Sequence, residues 1–308
     1  MEPKPTPSQI LVIEDDKSVG TMLEDLLMEE GYRVKVVQDG QEAMGLLAEV
    51  SPDLVLLDLN LPHLSGHQIL EEIRKRDQEF NLFIPVIILT GVYTSRNDKI
   101  LCLNLGADDF LPKPFDMVEL LARVKSLIRL REMHKRSQYL ATHDHLTRCY
   151  NRRYLVEFVD HQLARFRRYK VPFAFLLIDL DHFKKVNDTY GHDKGDQVLI
   201  HLGFRLQDFF RAVDCLARLG GDEFAAVLPE CNLENAKKVG FRLMEYVGNS
   251  KFKEGLPAEL SSHVNISVGA ASVPEHSEDR EELIRLADLA LYASKKGGRN
   301  RFSVYSKT

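Results

Sequence analysis

Two acidic stretches in the second half of the chain carry the residue types that hold a metal ion. The segment RLGGDEFAAVL, from Arg218 to Leu228, places two carboxylates after two glycines and before an apolar run. Upstream, the apolar run FAFLLIDLD ends in Asp179 and Asp181. Carboxylates delivered by neighbouring strands suit Mg²⁺, and bare glycine backbone lets a base or phosphate approach. The pattern predicts a site for Mg²⁺ and a nucleoside triphosphate. An ordinary acidic surface hairpin is the alternative, and the Asp179 strand weighs against it.

A second set of polar residues follows the apolar runs of the first half. These residues are Glu14, Asp15, Asp16, Asp58, Thr90 and Lys113. Any one of them is most simply a solvated loop residue, but their coincidence at strand ends favours a common site. A carboxylate nucleophile beside other carboxylates needs Mg²⁺ to offset repulsion, and a lysine can neutralise the phosphoryl group that the nucleophile gains.

The elements that position these residues can be read from the periodicity. The first half alternates short apolar runs with amphipathic stretches, which predicts five strands and five helices in a doubly wound parallel sheet. Ligand sites in such sheets lie at the carboxyl ends of the strands. No proline or glycine interrupts the stretch after Asp116, so the last helix is expected to continue as a connector with weak coiled-coil character. The HDH triplet at residues 143–145 is interpreted as a capping and salt-bridge feature rather than a metal site.

Composition limits the remaining possibilities. The chain has 308 residues, 44% of them hydrophobic, which is enough for two buried cores. No apolar run approaches the ~20 residues that span a membrane, and the loose start MEPKPTPSQ lacks the apolar centre of a secretion signal. We therefore expect a cytoplasmic protein. The cysteines lack disulfide-framework or zinc spacing; they are Cys102, Cys149, Cys215 and Cys231. The first half is acidic and the second mildly basic, without the tight basic run of a nucleic-acid binder.

The first half resembles the receiver domain of two-component response regulators. The motifs ILVIEDD, PDLVLLDLNLP, PVIILTG and FLPKPF occur in the expected order. The resemblance implies a flavodoxin-like fold in which Asp58 accepts a phosphoryl group from a histidine kinase. It implies one Mg²⁺ held by Asp15, Asp58 and the Asn60 main-chain carbonyl, with Glu14 or Asp16 assisting. Thr90 and Lys113 would bind the phosphoryl oxygens, and a cis bond between Lys113 and Pro114 is favoured.

The second half resembles the GGDEF domain of diguanylate cyclases. Five blocks match in order: DHLTRCYNRR, LIDLDHFKKVNDTYGHDKGD, RLGGDEF, SVGAA and ADLALYASKKGGRNR. The resemblance implies an α/β domain with a mainly antiparallel central sheet, like the palm of nucleotidyl cyclases. It also implies condensation of two GTP molecules into cyclic di-3′,5′-GMP and two pyrophosphates. One domain binds one GTP, so activity should require a homodimer or higher homo-oligomer.

The resemblance assigns roles to individual residues of this site. Two Mg²⁺ ions would be bound by Asp179, the Leu180 carbonyl and Asp222, with Glu223 either metal-associated or a base. Guanine would be read by Asn187 and Asp196, and this aspartate argues against mixed adenine-guanine products. The triphosphate would be held by Phe183, Lys184, Lys295 and Arg299. A solvated KKGGR turn is the simpler interpretation for Lys296.

The segment RAVD precedes the acidic hairpin. In the family an RxxD at this distance binds the product and inhibits the enzyme, which assigns Arg211 and Asp214 to an inhibitory site. The alternative is an i, i+3 ion pair at a helix end. Arg242 would add a contact from a neighbouring domain.

The predicted organisation is a tail at 1–8, a receiver domain at 9–130, a helical linker at 131–143 and a GGDEF domain at 144–308. Arg148 and Cys149 stand where the family has Gly-Leu, a departure in the entry segment. Two rival functions are possible for such a sequence. A non-catalytic receptor for cyclic dinucleotides would not need Asp179, Asp222 and Glu223. A DNA-binding response regulator would need a helix-turn-helix, and no such pattern follows Leu130, so no DNA partner is expected.

Overall fold

The computed structural model describes residues 7–91, 104–261 and 264–306. The chain divides into two compact units, one ending at Gln138 and the other beginning at Tyr139. Three features predicted from the sequence lie wholly or mainly outside the described residues: the tail at 1–8, the helix over DKILCLNLG at 98–106, and Cys102.

The first unit contains the five-stranded parallel sheet that the sequence predicts. Its strands are β1 (Gln9–Ile13), β2 (Arg33–Val37), β3 (Leu54–Asp58), β4 (Val86–Thr90) and β5 (Asp109–Pro112). They lie in the order β2-β1-β3-β4-β5, and every pairing is parallel. The described helices are α1 (Lys17–Glu29), α2 (Gly40–Glu49), α3 (Gly66–Phe80) and α4 (Met117–Thr142). The last of these runs without a break past the point where the chain divides.

Helices cover both faces of this sheet, which explains why its central strands are continuously apolar. Alternate side chains of β1 enter opposite cores. Ile10 packs in the same cluster as Leu120 of α4, whereas Leu11 packs with Ile69 of α3. Polar side chains are therefore confined to the ends of these strands.

The second unit is built on a mixed, mainly antiparallel sheet. Its strands are β6 (Tyr150–Asn151), β7 (Phe173–Leu180), β8 (Cys215–Gly220), β9 (Glu223–Pro229), β10 (Ile266–Val273) and β11 (Phe302–Val304). The order is β11-β10-β7-β9-β8-β6; only the two outer pairings are parallel. Its described helices are α5 (Arg152–Tyr169), α6 (Phe183–Tyr190), α7 (His192–Phe209), α8 (Leu233–Gly248), α9 (Ser250–Lys253), α10 (Ala258–Ser261) and α11 (Arg280–Lys296). This architecture confirms the predicted fold class.

Strand β7 lies near the middle of this sheet and is buried along its whole length. One face packs against α7 and α8, and the other packs against α5 and α11. Asp179 is the next-to-last residue of this buried strand and therefore lies at one edge of the sheet. Among the helices that the structure describes, none combines the length and apolar character needed to cross a membrane.

Candidate functional site

The predicted phosphoryl-acceptor site assembles at the carboxyl ends of the parallel strands. Glu14 and Asp58 are buried, and Lys113 lies between them. The Lys113 Nζ donates to the two Glu14 carboxylate oxygens at 2.7 and 2.6 Å and to Asp58 Oδ2 at 2.5 Å. Asp58 Oδ1 accepts from the Asn60 amide at 2.8 Å. One ammonium group therefore bonds to two buried carboxyl groups and offsets only part of their charge.

The electrostatics of this site follow from burial and from the lysine. Burial raises the pKa of Glu14, although the hydrogen bond from Lys113 opposes the shift. Burial alone would lower the pKa of Lys113, but its hydrogen bonds to Asp58 and Glu14 outweigh burial and raise it. Glu14, Asp15 and Asp58 bring one oxygen each within 4.8 Å of the others. This donor set fits a divalent cation that prefers oxygen ligands.

Asp16 and Thr90 take different positions in this site. The exposed Asp16 carboxylate accepts hydrogen bonds from the Ser18 hydroxyl at 2.6 Å and the Ser18 amide at 2.8 Å, which lower its pKa. Asp16 thus caps α1. Thr90 is buried at the end of β4, and its carbonyl accepts from the Lys113 amide at 2.7 Å. The Lys113–Pro114 bond is cis, as expected.

In the second unit, the acidic hairpin stands beside the Asp179 strand. Asp179 is paired directly with Glu223 across β7 and β9. The Leu180 amide donates to the Asp222 carbonyl at 3.2 Å. Gly220 and Gly221 have φ angles of 144° and 52°, which glycine adopts without steric cost. The glycines make the turn, and the turn brings three carboxylates to one edge of the sheet.

Asp179 is the most perturbed of these carboxylates. Its Oδ2 accepts from Lys295 Nζ at 2.7 Å, and its side chain is 9% exposed. Burial raises the pKa of Asp179 to about 6; Lys295 opposes this rise, and the charges of Asp222 and Glu223 add to it. Three carboxyl groups beside the single ammonium of Lys295 leave room for added positive charge, as a cation site requires. Carboxylate and carbonyl oxygens are ligands that fit Mg²⁺.

Asp181 is a buried carboxylate to which the sequence assigned no role. It accepts from the Ser267 hydroxyl at 2.7 Å and from the Asn300 amide at 2.9 Å. Arg299 Nε lies 4.0 Å from Asp181 Oδ1, the oxygen that also accepts from Ser267. Asp181 therefore fixes the loop after α11, which carries the predicted phosphate-binding Arg299.

The predicted guanine site lies where α6 and α7 meet. The Asn187 Oδ1 is buried without a hydrogen-bond partner. A Cβ on Gly195 would lie 1.9 Å from this oxygen and 3.2 Å from the Phe183 ring, so only glycine fits between them. Asp196 is the next residue and is exposed, as is Lys184 at the start of α6. Asn187, Phe183 and Asp196 are thus brought together.

A clasp between Arg218 and Asp144 holds the hairpin, and sequence reasoning missed it. Arg218 Nε and Nη2 donate to the Gly221 carbonyl at 3.0 and 2.8 Å, and Nη1 donates to Asp144 Oδ1 at 3.0 Å. Asp144 also accepts from the Thr147 amide at 2.9 Å. Burial would raise the pKa of Asp144, but these hydrogen bonds lower it. The HDH triplet is therefore a capping and salt-bridge feature, as interpreted.

Arg211 and Asp214 form an ion pair between two cavities. Arg211 Nη2 donates to Asp214 Oδ1 at 2.7 Å, and Nε donates to Oδ2 at 3.2 Å. The pair lines one cavity of about 370 Å³ and another of about 550 Å³. Arg165 of α5, which the sequence did not single out, lines the smaller one. Arg242 lies over the Phe209 ring at 4.9 Å, and a role for it in a neighbouring domain stays a prediction.

The fold and the two polar sites define two domains: a parallel sheet with a lysine between two buried carboxylates, and a mixed sheet with an acidic edge. The response regulator receiver domain family matches residues 10–125. The diguanylate cyclase GGDEF domain family matches residues 141–301. The chain belongs to the GGDEF diguanylate cyclase family and carries a receiver domain ahead of the GGDEF domain.

Individual relatives agree with this assignment. Response regulator PleD of Caulobacter vibrioides is 33% identical over 86% of this chain and 59% of its own length. The probable diguanylate cyclase DgcC of Escherichia coli is 35% identical over 70% of this chain and 57% of its own. The chain thus spans less than two thirds of either relative. The coiled coil and GGDEF domain of DgcB from Caulobacter crescentus, solved in complex with c-di-GMP, matches 61% of this chain and 97% of its own at 32% identity, with a TM-score of 0.52.

Proposed function

We propose that the chain is a diguanylate cyclase that condenses two GTP molecules into cyclic di-3′,5′-GMP and two pyrophosphates. The observation that carries the proposal is the pairing of Asp179 with Glu223 beside Asp222, with Lys295 bonded to Asp179. Membership of the GGDEF family and relatives named as diguanylate cyclases support it. We assign the receiver to residues 9–130, the connector to 131–143 and the cyclase to 144–308.

In the reaction, each ribose 3′-hydroxyl attacks the α-phosphorus of the other GTP. Two P–O bonds form, two α–β phosphoanhydride bonds break, and two pyrophosphates and two protons leave. Two Mg²⁺ ions, when bound, supply a lowered pKa of the 3′-hydroxyl and offset charge on the α-phosphate. Asp179, Asp222 and the Leu180 carbonyl would hold them, and Glu223 lies close enough in the pairing to join them or to accept the proton.

The remaining residues position the nucleotide. Lys295 and Arg299 bring positive charge to the carboxylate edge, and Phe183 and Lys184 begin the helix beside it, so these four would hold the triphosphate. The buried Asn187 Oδ1 is an acceptor without a partner, which costs free energy until a ligand donates to it. The guanine N1 and N2 hydrogens are such donors, and the Asp196 carboxylate can accept from the same edge.

The receiver would control assembly of the active pair. Because one GGDEF domain binds one GTP, two chains must present their sites to each other. Phosphoryl transfer from a histidine kinase to Asp58 would replace the carboxylate that Lys113 now binds. We propose that this change alters the oligomer of the receiver and thereby the cyclisation rate. Arg211 and Asp214 would bind the product and inhibit the enzyme.

The test is direct. Purified chain is incubated with GTP and Mg²⁺, with and without beryllofluoride as a phosphoryl mimic, and the product is identified by chromatography. We expect cyclic di-GMP and pyrophosphate, formed faster with beryllofluoride and with a change in oligomeric state. Absence of any cyclic dinucleotide under both conditions refutes the cyclase. An unchanged rate and an unchanged oligomer refute only the control by the receiver.

A further inference from the structure

Arg148 has a backbone conformation that normally selects glycine. Its φ angle is 63°, in the left-handed region that glycine adopts most readily. A side chain in the left-handed region costs free energy because its Cβ crowds the backbone. An arginine at such a position is therefore informative, because strain of this kind concentrates at functional sites.

The Arg148 side chain reaches the cavity that contains the Arg211–Asp214 pair. It lines the cavity of about 550 Å³ together with both members of the pair. The same cavity is lined by His143 and Tyr150. This volume is in the range of nucleotide-sized ligands.

The charges of this cavity explain what Arg148 adds. Arg211 is already neutralised by two hydrogen bonds to Asp214. The Arg211–Asp214 pair carries no net charge, and Arg148 adds one positive charge to it. A cyclic dinucleotide has two phosphodiester anions, so a second guanidinium gives each phosphate its own partner.

Aromatic rings lie at this cavity: His143 and Tyr150 line it, and Tyr139 stacks on His143. The Tyr139 and His143 rings are stacked at 4.0 Å with 10° between their planes, and the Tyr150 ring lies 4.6 Å from His143. The Arg148 guanidinium lies 5.9 Å from the Tyr139 ring centroid. Burial lowers the pKa of His143, which favours the uncharged ring. Flat, uncharged rings beside guanidinium groups suit a ligand that has purine faces and phosphates.

We propose that Arg148 is a phosphate-binding residue of the inhibitory site and binds a phosphodiester of the cyclic dinucleotide that Arg211 and Asp214 hold. The inference rests on the proposed function, because it specifies how the product regulates that enzyme. It extends the site to a residue at which this chain departs from its family.

The experiment measures binding of cyclic di-GMP to the full chain by calorimetry, independently of turnover. Arg148→Gly should weaken binding about tenfold, the loss of one charge-assisted contact, and should make binding less sensitive to salt. Glycine suits the local backbone, so thermal unfolding should not occur earlier than in the wild type. Arg148→Lys keeps the charge without the guanidinium fork and should fall between the two.

Lys170→Gly is the matched control. Lys170 is exposed at φ 58° and lines neither cavity, so the change also removes one charge from a left-handed position. Wild-type affinity in Arg148→Gly overturns the inference, and so does an equal loss in Lys170→Gly. If the wild type converts GTP but does not bind the product, the inference fails and the cyclase stands. If it binds the product as described but forms none from GTP, the cyclase fails and the inference stands.

Discussion

Replacing Asp179 by asparagine should abolish activity and yet stabilise the metal-free protein at neutral pH. The pKa of Asp179 is raised from 3.8 to about 6, mainly by burial. Keeping this carboxyl ionised above pH 6 therefore costs folding free energy. One pKa unit corresponds to about 1.4 kcal/mol, so the cost is at most about 3 kcal/mol, and residual hydration reduces it to about 1–3 kcal/mol. Asparagine resembles the protonated acid and avoids this cost.

The sign can be followed through the pH range. A carboxyl with a raised pKa binds its proton more tightly in the folded state than in the unfolded state. The stability of the metal-free wild type should therefore fall as pH rises from about 4 to about 6 and remain lower above it. Asp179→Asn should lack this fall. Mg²⁺ should restore the stability of the wild type at pH 7.5 and should bind about tenfold more weakly for each pH unit below 6.

Urea unfolding followed by circular dichroism provides the assay, because the chain contains no tryptophan. Metal-free samples are compared at pH 5 and pH 7.5, with the transition of the receiver unit as an internal reference. Asp208→Asn removes the same charge from an exposed position on α7 and serves as the control. If Asp179→Asn is less stable than the wild type at pH 7.5, or if the difference does not depend on pH, the electrostatic account of this carboxylate is wrong.

Three further predictions concern the sites described above. Asp58→Asn should retain basal cyclisation but lose the response to beryllofluoride, measured as the ratio of rates with and without the mimic. Asp196→Ser should lower kcat/KM for GTP by about 10- to 100-fold. It should also admit mixed adenine-guanine product from equimolar ATP and GTP, because a hydroxyl both donates and accepts. Strictly guanine-only product would contradict the assignment. Arg218→Ala should destabilise the chain by about 1–3 kcal/mol and reduce kcat, since the Gly221 carbonyl and Asp144 lose their partner. Full activity with unchanged thermal stability would show that the clasp is dispensable.

The sequence predicts the convergence of the strand-end residues well, for a physical reason. Parallel strands of one sheet end at a common edge, so polar residues that follow their apolar runs meet there, as Glu14, Asp58 and Lys113 do. In the second sheet Asp179 lies near the end of β7 and Glu223 begins β9, and the antiparallel pairing of these strands brings the two together. To predict that these residues meet, the direction and pairing of the strands matter more than their order in the sheet. The apolar pattern indicates the parallel direction in the first sheet, and the glycine turn indicates the hairpin in the second.

What the sequence could not predict depends on backbone detail or on distant partners. Asp16 belongs to a run of three acidic residues, and only the start of α1 at Lys17 makes it a helix cap. Arg218 and Asp144 are 74 positions apart, and Asp179 and Lys295 are 116 apart, so no local pattern joins either pair. Arg131 is 3% exposed, and its Nη2 lies 3.4 Å from the Ser51 hydroxyl, 80 positions away in the chain.

The two acidic sites balance their charge in the same way but differ in exposure. In each, one lysine from a later segment bonds to a buried carboxylate, Lys113 to Asp58 and Lys295 to Asp179. In the receiver unit Asp58 is buried, with 4% of the residue exposed. In the GGDEF unit Glu223 and Asp196 are exposed. Outward-facing groups of this kind are what the proposed reaction between two chains requires, because the second nucleotide has to reach them from another copy.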